Sequence, residues 1–291
     1  MKNRTVAKIE SEDEQRRLAV LIDADNAQPS VIEGLLAEVA KFGVASVKRI
    51  YGDWTSTSHT QWKKSLLKHS IHPVQQFAYT KGKNATDSTL IIDAMDLLYT
   101  RRFDGFCLVS SDSDFTRLAQ RLREEGLTVF GFGERKTPDS FVAACDKFVY
   151  VEVLRADSVA NEPGSEPVKS SSRRRRSKAA PPPASDAEVG TAAEAEPAIS
   201  NPQALPVDLI TQAIEEASDD AGWAPLGRVG SYLTKIRPDF DPRLYGHKKL
   251  SELFRKHPKF FEFEERSSPG VTSKAIYVRA VDSAVPARVS N

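Results

Sequence analysis

Across Leu18–Leu154, short continuous apolar runs alternate with amphipathic stretches, and this alternation constrains the fold more than any other feature of the sequence. LAVLID (Leu18–Asp23) is uniformly apolar until it meets polar residues, the pattern of a strand buried on both faces of a parallel sheet. Pro29 then opens a segment with apolar residues at helical spacing, and Gly43 stops it. A strand at Ala45–Tyr51, a helix around His59–His69 and a strand at Pro73–Phe77 are predicted next. A long helix over Asp87–Tyr99 follows, with Leu90, Ile91, Ala94, Leu97 and Leu98 on its inner side. FCLVSS (Phe106–Ser111) is predicted as another buried strand, followed by a helix near Phe115–Glu125, the strand TVFGFG, a short helix near Asp139–Cys145 and a strand FVYVEVL. Strands alternating with helices imply βαβ units and a mainly parallel, three-layer α/β sheet.

The pattern breaks between Ala156 and Pro202, where Pro, Ser, Ala and Glu dominate and Arg173–Arg176 form a basic run. Such a stretch cannot bury enough apolar surface to offset its ordering entropy, so it is predicted to be a disordered linker. As a flexible chain of about 47 residues it would span on the order of 40 Å and let its flanks move almost independently. Beyond it the periods change. VDLITQAIEEA, LGRVGSYLTKI and HKKLSELFRKH read as three amphipathic helices, and FFEFEERSSPGVTSKAIYVRAV as two short strands around a turn. Three helices and a hairpin suggest a winged helix-turn-helix. The predicted organisation is a domain over 14–155, a linker over 156–202 and a second domain over 203–281.

Composition narrows the function. A formal net charge of +1 leaves no basic footprint over the whole chain, so any attraction for nucleic acid must come from local patches. Cys107 and Cys145 sit in apolar stretches without metal-ligand spacing and read as buried thiols of a reduced protein. With a charged beginning and no apolar run of membrane length, a cytoplasmic protein without membrane association is expected.

Four acids fall where a doubly wound sheet places its chemistry, outside the carboxyl ends of its strands. Asp23 ends the first strand, Asp112 and Asp114 follow the Phe106–Ser111 strand, and Asp87 opens the long helix. Carboxylates gathered in one crevice repel and raise one another's pKa. A hard divalent cation, Mg²⁺ or Mn²⁺, removes the conflict and supplies what phosphodiester hydrolysis needs. Taken singly, Asp87 and Ser113 read equally well as helix caps. Asn26 reads as an outer contact or a cap, and Asp25 as a second ligand or an outward-pointing side chain. Asp93, about 120° around the helix from Asp87, and Asp96 are expected on a solvated face. Lys81 and Lys83 flank Gly82 in a loop and are candidate phosphate contacts.

The runs LIDADNA, KGKNATDSTLIIDAMDLLY and LVSSDSDF, followed by an amphipathic helix and TVFGFG, resemble the NYN domain family, a branch of the PIN-like nucleases. The resemblance covers most of Arg17–Leu154. It implies a PIN-like fold and a Mg²⁺- or Mn²⁺-dependent ribonuclease. Asp23, Asp87 and Asp112 match the family's metal-binding acids, Asp114 matches less closely, and Asn26 matches the polar residue after the first acid. The last segment resembles the OST-HTH/LOTUS domain, through GWAPLGRVGSYLTKIRPDFDPRLYGHKKLSELFRKHPKFFEFEE and the closing AIYVR. That resemblance implies a winged-helix module for RNA binding and protein contacts.

Independently of it, Arg243–Lys259 holds Arg243, Lys248, Lys249, Arg255, Lys256 and Lys259 against Glu252 alone, a local charge of +5. Such a patch supplies salt-sensitive phosphate affinity. Tyr245 and His247 are interleaved and could stack on unpaired bases, whereas Phe254, at i, i+4 from Leu250, reads as core. The sequence thus describes an RNA-cleaving enzyme, most simply an endonuclease, with a recruiting module. Two rivals are a non-catalytic RNA-binding adaptor with a vestigial acidic site, and a haloacid-dehalogenase-like phosphatase using Asp23-Ala24-Asp25. Against the second, Asn26 and Pro29 lead straight into a helix.

Overall fold

The computed structural model describes residues 15–55, 57–77, 85–154, 203–267 and 274–281. The 156–202 segment with its Arg173–Arg176 run, and Lys81 and Lys83, lie outside them. In the first domain, the apolar runs become β1 (Arg17–Asp23), β2 (Val44–Gly52), β3 (His72–Gln75), β4 (Gly105–Val109), β5 (Thr128–Gly133) and β6 (Lys147–Tyr150). All neighbouring pairs are parallel, in the order β3-β2-β1-β4-β5-β6. The period of two within β1 explains the layering. Leu18, Val20 and Ile22 pack on one face with α1 (Ile32–Val39) and Trp62 of α2 (Trp62–His69). Ala19 and Leu21 pack on the other with α3 (Ala85–Tyr99), α4 (Thr116–Glu124) and α5 (Asp139–Ala144). Strand order reverses between β1 and β4, because the chain returns from the β3 edge through α3. That reversal opens a crevice at the carboxyl ends of these two strands.

One predicted strand runs too far. The run FVYVEVL alternates like a strand to Leu154, yet β6 stops at Tyr150 and residues 151–154 turn helical. Packing overrides local propensity here. Leu154 belongs to the first domain's core while Val153 enters the second's, and the Glu152 carboxylate accepts from Arg135 N at 3.0 Å.

The second domain contains α6 (Val207–Ala217), β7 (Ala224–Pro225), α7 (Leu226–Ile236), a 3₁₀ turn at Pro242–Tyr245, α8 (Leu250–Lys256), β8 (Phe261–Ser267) and β9 (Lys274–Ala280). Its antiparallel sheet runs β7-β9-β8. The two-residue β7 is too short to carry a period. Ile210, Val229, Leu233, Leu253, Phe254, Phe261 and Val278 fill the core between helices and wing, and Phe254 is core as expected.

Contrary to the expectation of independent motion, the two domains pack together. Phe148 N donates to Pro238 O at 2.9 Å, and Tyr150 Oη donates to the Asp239 carboxylate at 3.1 Å. Arg243 forks onto Glu38 of α1, with its two terminal nitrogens 3.0 and 3.1 Å from the carboxylate oxygens. It also meets Asp241 at 2.7 Å, while Lys41 reaches Glu38 at 2.7 Å. Burial acts to raise the Asp241 carboxyl, but the hydrogen bonds and charge of Arg243 hold it below its ordinary value. Sequence alternation cannot reveal that β6, as an edge strand, needs a cover on its open side.

Candidate metal centre

Asp23 is the last residue of β1 and is 0% exposed, although it ends a wholly apolar run. Three donors account for its burial. Asp25 N gives a hydrogen bond to Oδ1 at 3.0 Å, and Asn26 Nδ2 and Ser110 Oγ give theirs to Oδ2 at 2.7 and 2.9 Å. Burial pushes its carboxyl above the usual range, against the lowering effect of those bonds. Ser110, just past β4, also accepts from Asp112 N at 3.1 Å. One hydroxyl thereby ties the end of β1 to the loop after β4.

That loop turns at once into a short 3₁₀ helix, Ser113–Phe115, capped by Asp112, whose Oδ1 accepts from Asp114 N at 2.9 Å. The cap is Asp112, where the sequence offered Ser113, and capping does not exclude it from a site. Asp87, in the first turn of α3, faces the same place: ligand atoms of Asp87, Asp112 and Asp114 lie within 4.8 Å of one another. Desolvation first, then the charges of Asp23, Asp112, Asp114 and Asp25, push the Asp87 carboxyl up to about 6. Oxygen donors of one sign, held apart by fixed elements, suit a hard divalent cation.

The anticipated acids thus converge, with one change of grouping. Asp87, Asp112 and Asp114 form the tight trio, and Asp23 stands beside it as a buried, multiply hydrogen-bonded hub. Asn26 is placed by that hub. Asp25 is largely exposed and lies 3.3 Å from His59 Nε2. Asp96 is exposed as expected, but Asp93 is not a solvated residue. It is half-buried, hydrogen-bonded to the Tyr51 hydroxyl and paired with Arg49 on β2. Tyr51 is fully buried, and burial followed by Asp93 pushes its phenol up, so it donates. Helical angle alone cannot show that the sheet surface below α3 carries an arginine and a tyrosine.

Ser110, His59 and Trp54 went unrecognised in the sequence. Ser110 was findable as the first polar residue after an apolar strand, whereas His59 and Trp54 carry no local signal.

On the second domain the basic patch splits. Arg243 is committed to the domain clasp, and Tyr245 is 8% exposed inside the core, so neither presents a face to a nucleic acid. Arg255 meets Glu265 at 2.5 Å and lies over the Phe263 ring. His247 is half-buried, edge-on to His257 at 5.2 Å, and burial lowers its pKa. Lys248, Lys249, Lys256 and Lys259 are exposed, and no acid pairs with their ammonium groups among the described residues. The wing's Arg266 and Arg279 are held by Glu264 and Glu262.

A parallel α/β domain with an acidic crevice is followed by a small domain of three helices and an antiparallel sheet. Comparison with known families agrees: residues 17–152 match the NYN domain, and residues 199–272 match the OST-HTH/LOTUS domain. Residues 17–152 form an NYN domain of PIN-like α/β fold, and residues 199–272 an OST-HTH/LOTUS domain. Six chains of solved structure match. An uncharacterised Nitrosomonas europaea protein is 47% identical over 32% of this chain and 92% of its own, with TM-score 0.26. A Chromobacterium violaceum fragment is 34% identical over 30% and 92%, with TM-score 0.24. A protein of unknown function from Vibrio parahaemolyticus is 20% identical over 48% and 94%, with TM-score 0.40. No curated protein matches. No helix among the described residues is long and apolar enough to cross a membrane.

Proposed function

We propose that this protein is a Mg²⁺- or Mn²⁺-dependent ribonuclease whose C-terminal domain recruits the RNA. The observation that carries the reading is the convergence of Asp87, Asp112 and Asp114 on one point beside buried Asp23. These three carboxylates would hold the ion, which when bound activates water and neutralises charge on the phosphoryl oxygens. The chain's own contribution is positioning. Asp23, through Ser110 and Asn26, fixes the loops that present the trio, so the acids are held in place before any ligand arrives. Asp23 itself is sealed from solvent with both oxygens hydrogen-bonded, which counts against its use as a phosphatase nucleophile. Exposed Lys248, Lys249 and Lys256 supply phosphate contacts on the second domain. Contacts from Lys81 and Lys83 would add to these.

The test is cleavage of mixed RNA and DNA with and without Mn²⁺, by wild type, Asp112→Asn and Asp114→Asn. Expected are metal-dependent RNA cleavage by wild type and its loss in both variants. Full activity in either variant, or in excess chelator, would remove the metal mechanism. Tight RNA binding without cleavage by wild type would make the protein an adaptor.

A further inference from the structure

A groove of about 440 Å³ opens beside the acidic crevice, walled by Trp54, Leu66, Leu67 and Ile71, with His59 and Lys63 at its polar positions. Its size falls within the ~300–1,000 Å³ of small-ligand clefts, and its lining is of the same kind, apolar with few polar groups. Trp54 is held rigidly. Its indole Nε1 donates to Val74 O at 2.9 Å and its backbone N to Gln75 Oε1 at 2.9 Å, and its ring lies tilted against His59 at 5.4 Å. Leu67 leaves 79% of its surface uncovered. Lys63 is exposed and paired with no acid among the described residues. His59 belongs to both places. It lines the groove, and its Nε2 lies 3.3 Å from Asp25, two residues beyond Asp23. Its Nδ1 is 3.1 Å from Asp53 O.

We propose that this groove holds one unpaired nucleobase of the strand whose phosphate lies at the acidic cluster. The inference rests on the ribonuclease reading for its substrate class. A fixed indole with aliphatic side chains opposite is a stacking surface, and a base is flat and apolar on its faces with polar edges. Lys63, exposed at the polar side of the groove, lies where a flanking phosphate can be neutralised. His59 links the groove to Asp25, two residues beyond the strand end that carries Asp23, and in this proposal the occupant is the neighbouring part of the same ligand. Base-paired RNA, whose bases are stacked on each other, cannot enter.

The experiment measures the Kd and KM of the full chain for a single-stranded RNA tetranucleotide, beside a blunt duplex RNA, for wild type, Trp54→Ala, Trp54→Phe and Leu67→Asp. Mn²⁺ binding is followed separately by the metal-induced rise in melting temperature. Trp54→Ala is expected to weaken tetranucleotide binding roughly 5- to 150-fold, the range for loss of one stacked base, and Trp54→Phe to restore most of it. Leu67→Asp, on an exposed position that folding does not depend on, should weaken it in the same direction. Duplex binding and Mn²⁺ binding should not change. Unchanged tetranucleotide binding in Leu67→Asp and Trp54→Ala, with wild type still cleaving RNA, overturns the groove and spares the nuclease. Weakened binding in a protein that never cleaves keeps the groove and overturns the nuclease. A wild type that fails to bind the tetranucleotide overturns the groove as well.

Discussion

Asp87→Asn should stabilise the metal-free protein at neutral pH while removing its response to metal. Asp87 titrates at about 6 in the folded chain, against an ordinary 3.8. The folded state therefore binds this proton more tightly than the unfolded state. With a raised folded pKa on an acid, stability falls as pH rises from about 4 through about 6, and the cost is fully present above that. A shift of about two units corresponds to at most ~3 kcal/mol. Asp87 is only half-buried, so solvent screening reduces the figure to about 1–2 kcal/mol. For ordered domains of this size that is a rise in melting temperature on the order of 2–8 °C. The assay is thermal unfolding of wild type and Asp87→Asn from pH 4 to 8 in chelator, repeated with excess Mn²⁺. The two curves should meet near pH 4 and diverge by pH 7, with the variant higher. Mn²⁺ should then lift wild type and leave the variant nearly unmoved. Parallel curves across that pH window, or a variant less stable at pH 7 in chelator, would refute the crowding of carboxylates inferred for this crevice.

Other perturbations probe different parts of the structure. Arg243→Ala strands the buried Glu38 and Asp241 carboxylates. It should cost about 2–4 kcal/mol, less than the ~3–5 of an unrelieved buried charge because Lys41 still reaches Glu38, and an increase in radius of gyration by small-angle scattering would register the lost clasp. In Gly133→Ala a Cβ would sit 2.6 Å from Ser110 O and 2.6 Å from Thr137 Oγ1. The expected cost is ~1–3 kcal/mol of overpacking, with a fall in cleavage rate out of proportion to it because Ser110 positions Asp23 and Asp112. Replacing Lys248, Lys249 and Lys256 with Glu should weaken RNA binding and flatten its dependence on salt, and an unchanged slope in a salt titration would relocate the RNA face.

Much of this architecture was readable because it is written in periods. Runs buried on both sides of a parallel sheet have no alternation, so β1, β4 and β5 stood out, and the acids at their ends were the natural places for chemistry. What escaped detection depends on three-dimensional neighbours. Asp93 was assigned to water because only its own helix was visible, whereas Arg49 and Tyr51 come from a strand more than 40 residues earlier. Arg243 and Tyr245 fell inside a basic, aromatic window, and nothing local distinguishes a nucleic-acid contact from a residue covering the next domain. The apolar alternation at the end of β6 was misleading for the same reason: its side chains are shared between two cores. The groove beside His59 is the extreme case, since Trp54, Lys63 and Leu67 gain meaning only once α2 lies over the ends of β2 and β3.

The docking of the two domains has a further consequence. A recognition module on a loose string would raise the local amount of RNA but leave the cut position to chance. With Arg243, Pro238 and Val153 anchoring it against α1 and β6, the module of the proposed ribonuclease would act as a ruler. The span from Lys248, Lys249 and Lys256 to the acidic crevice would set how many nucleotides separate the gripped segment from the broken bond, and end-mapped products of one register, lost on Arg243→Ala, are the expected sign of it.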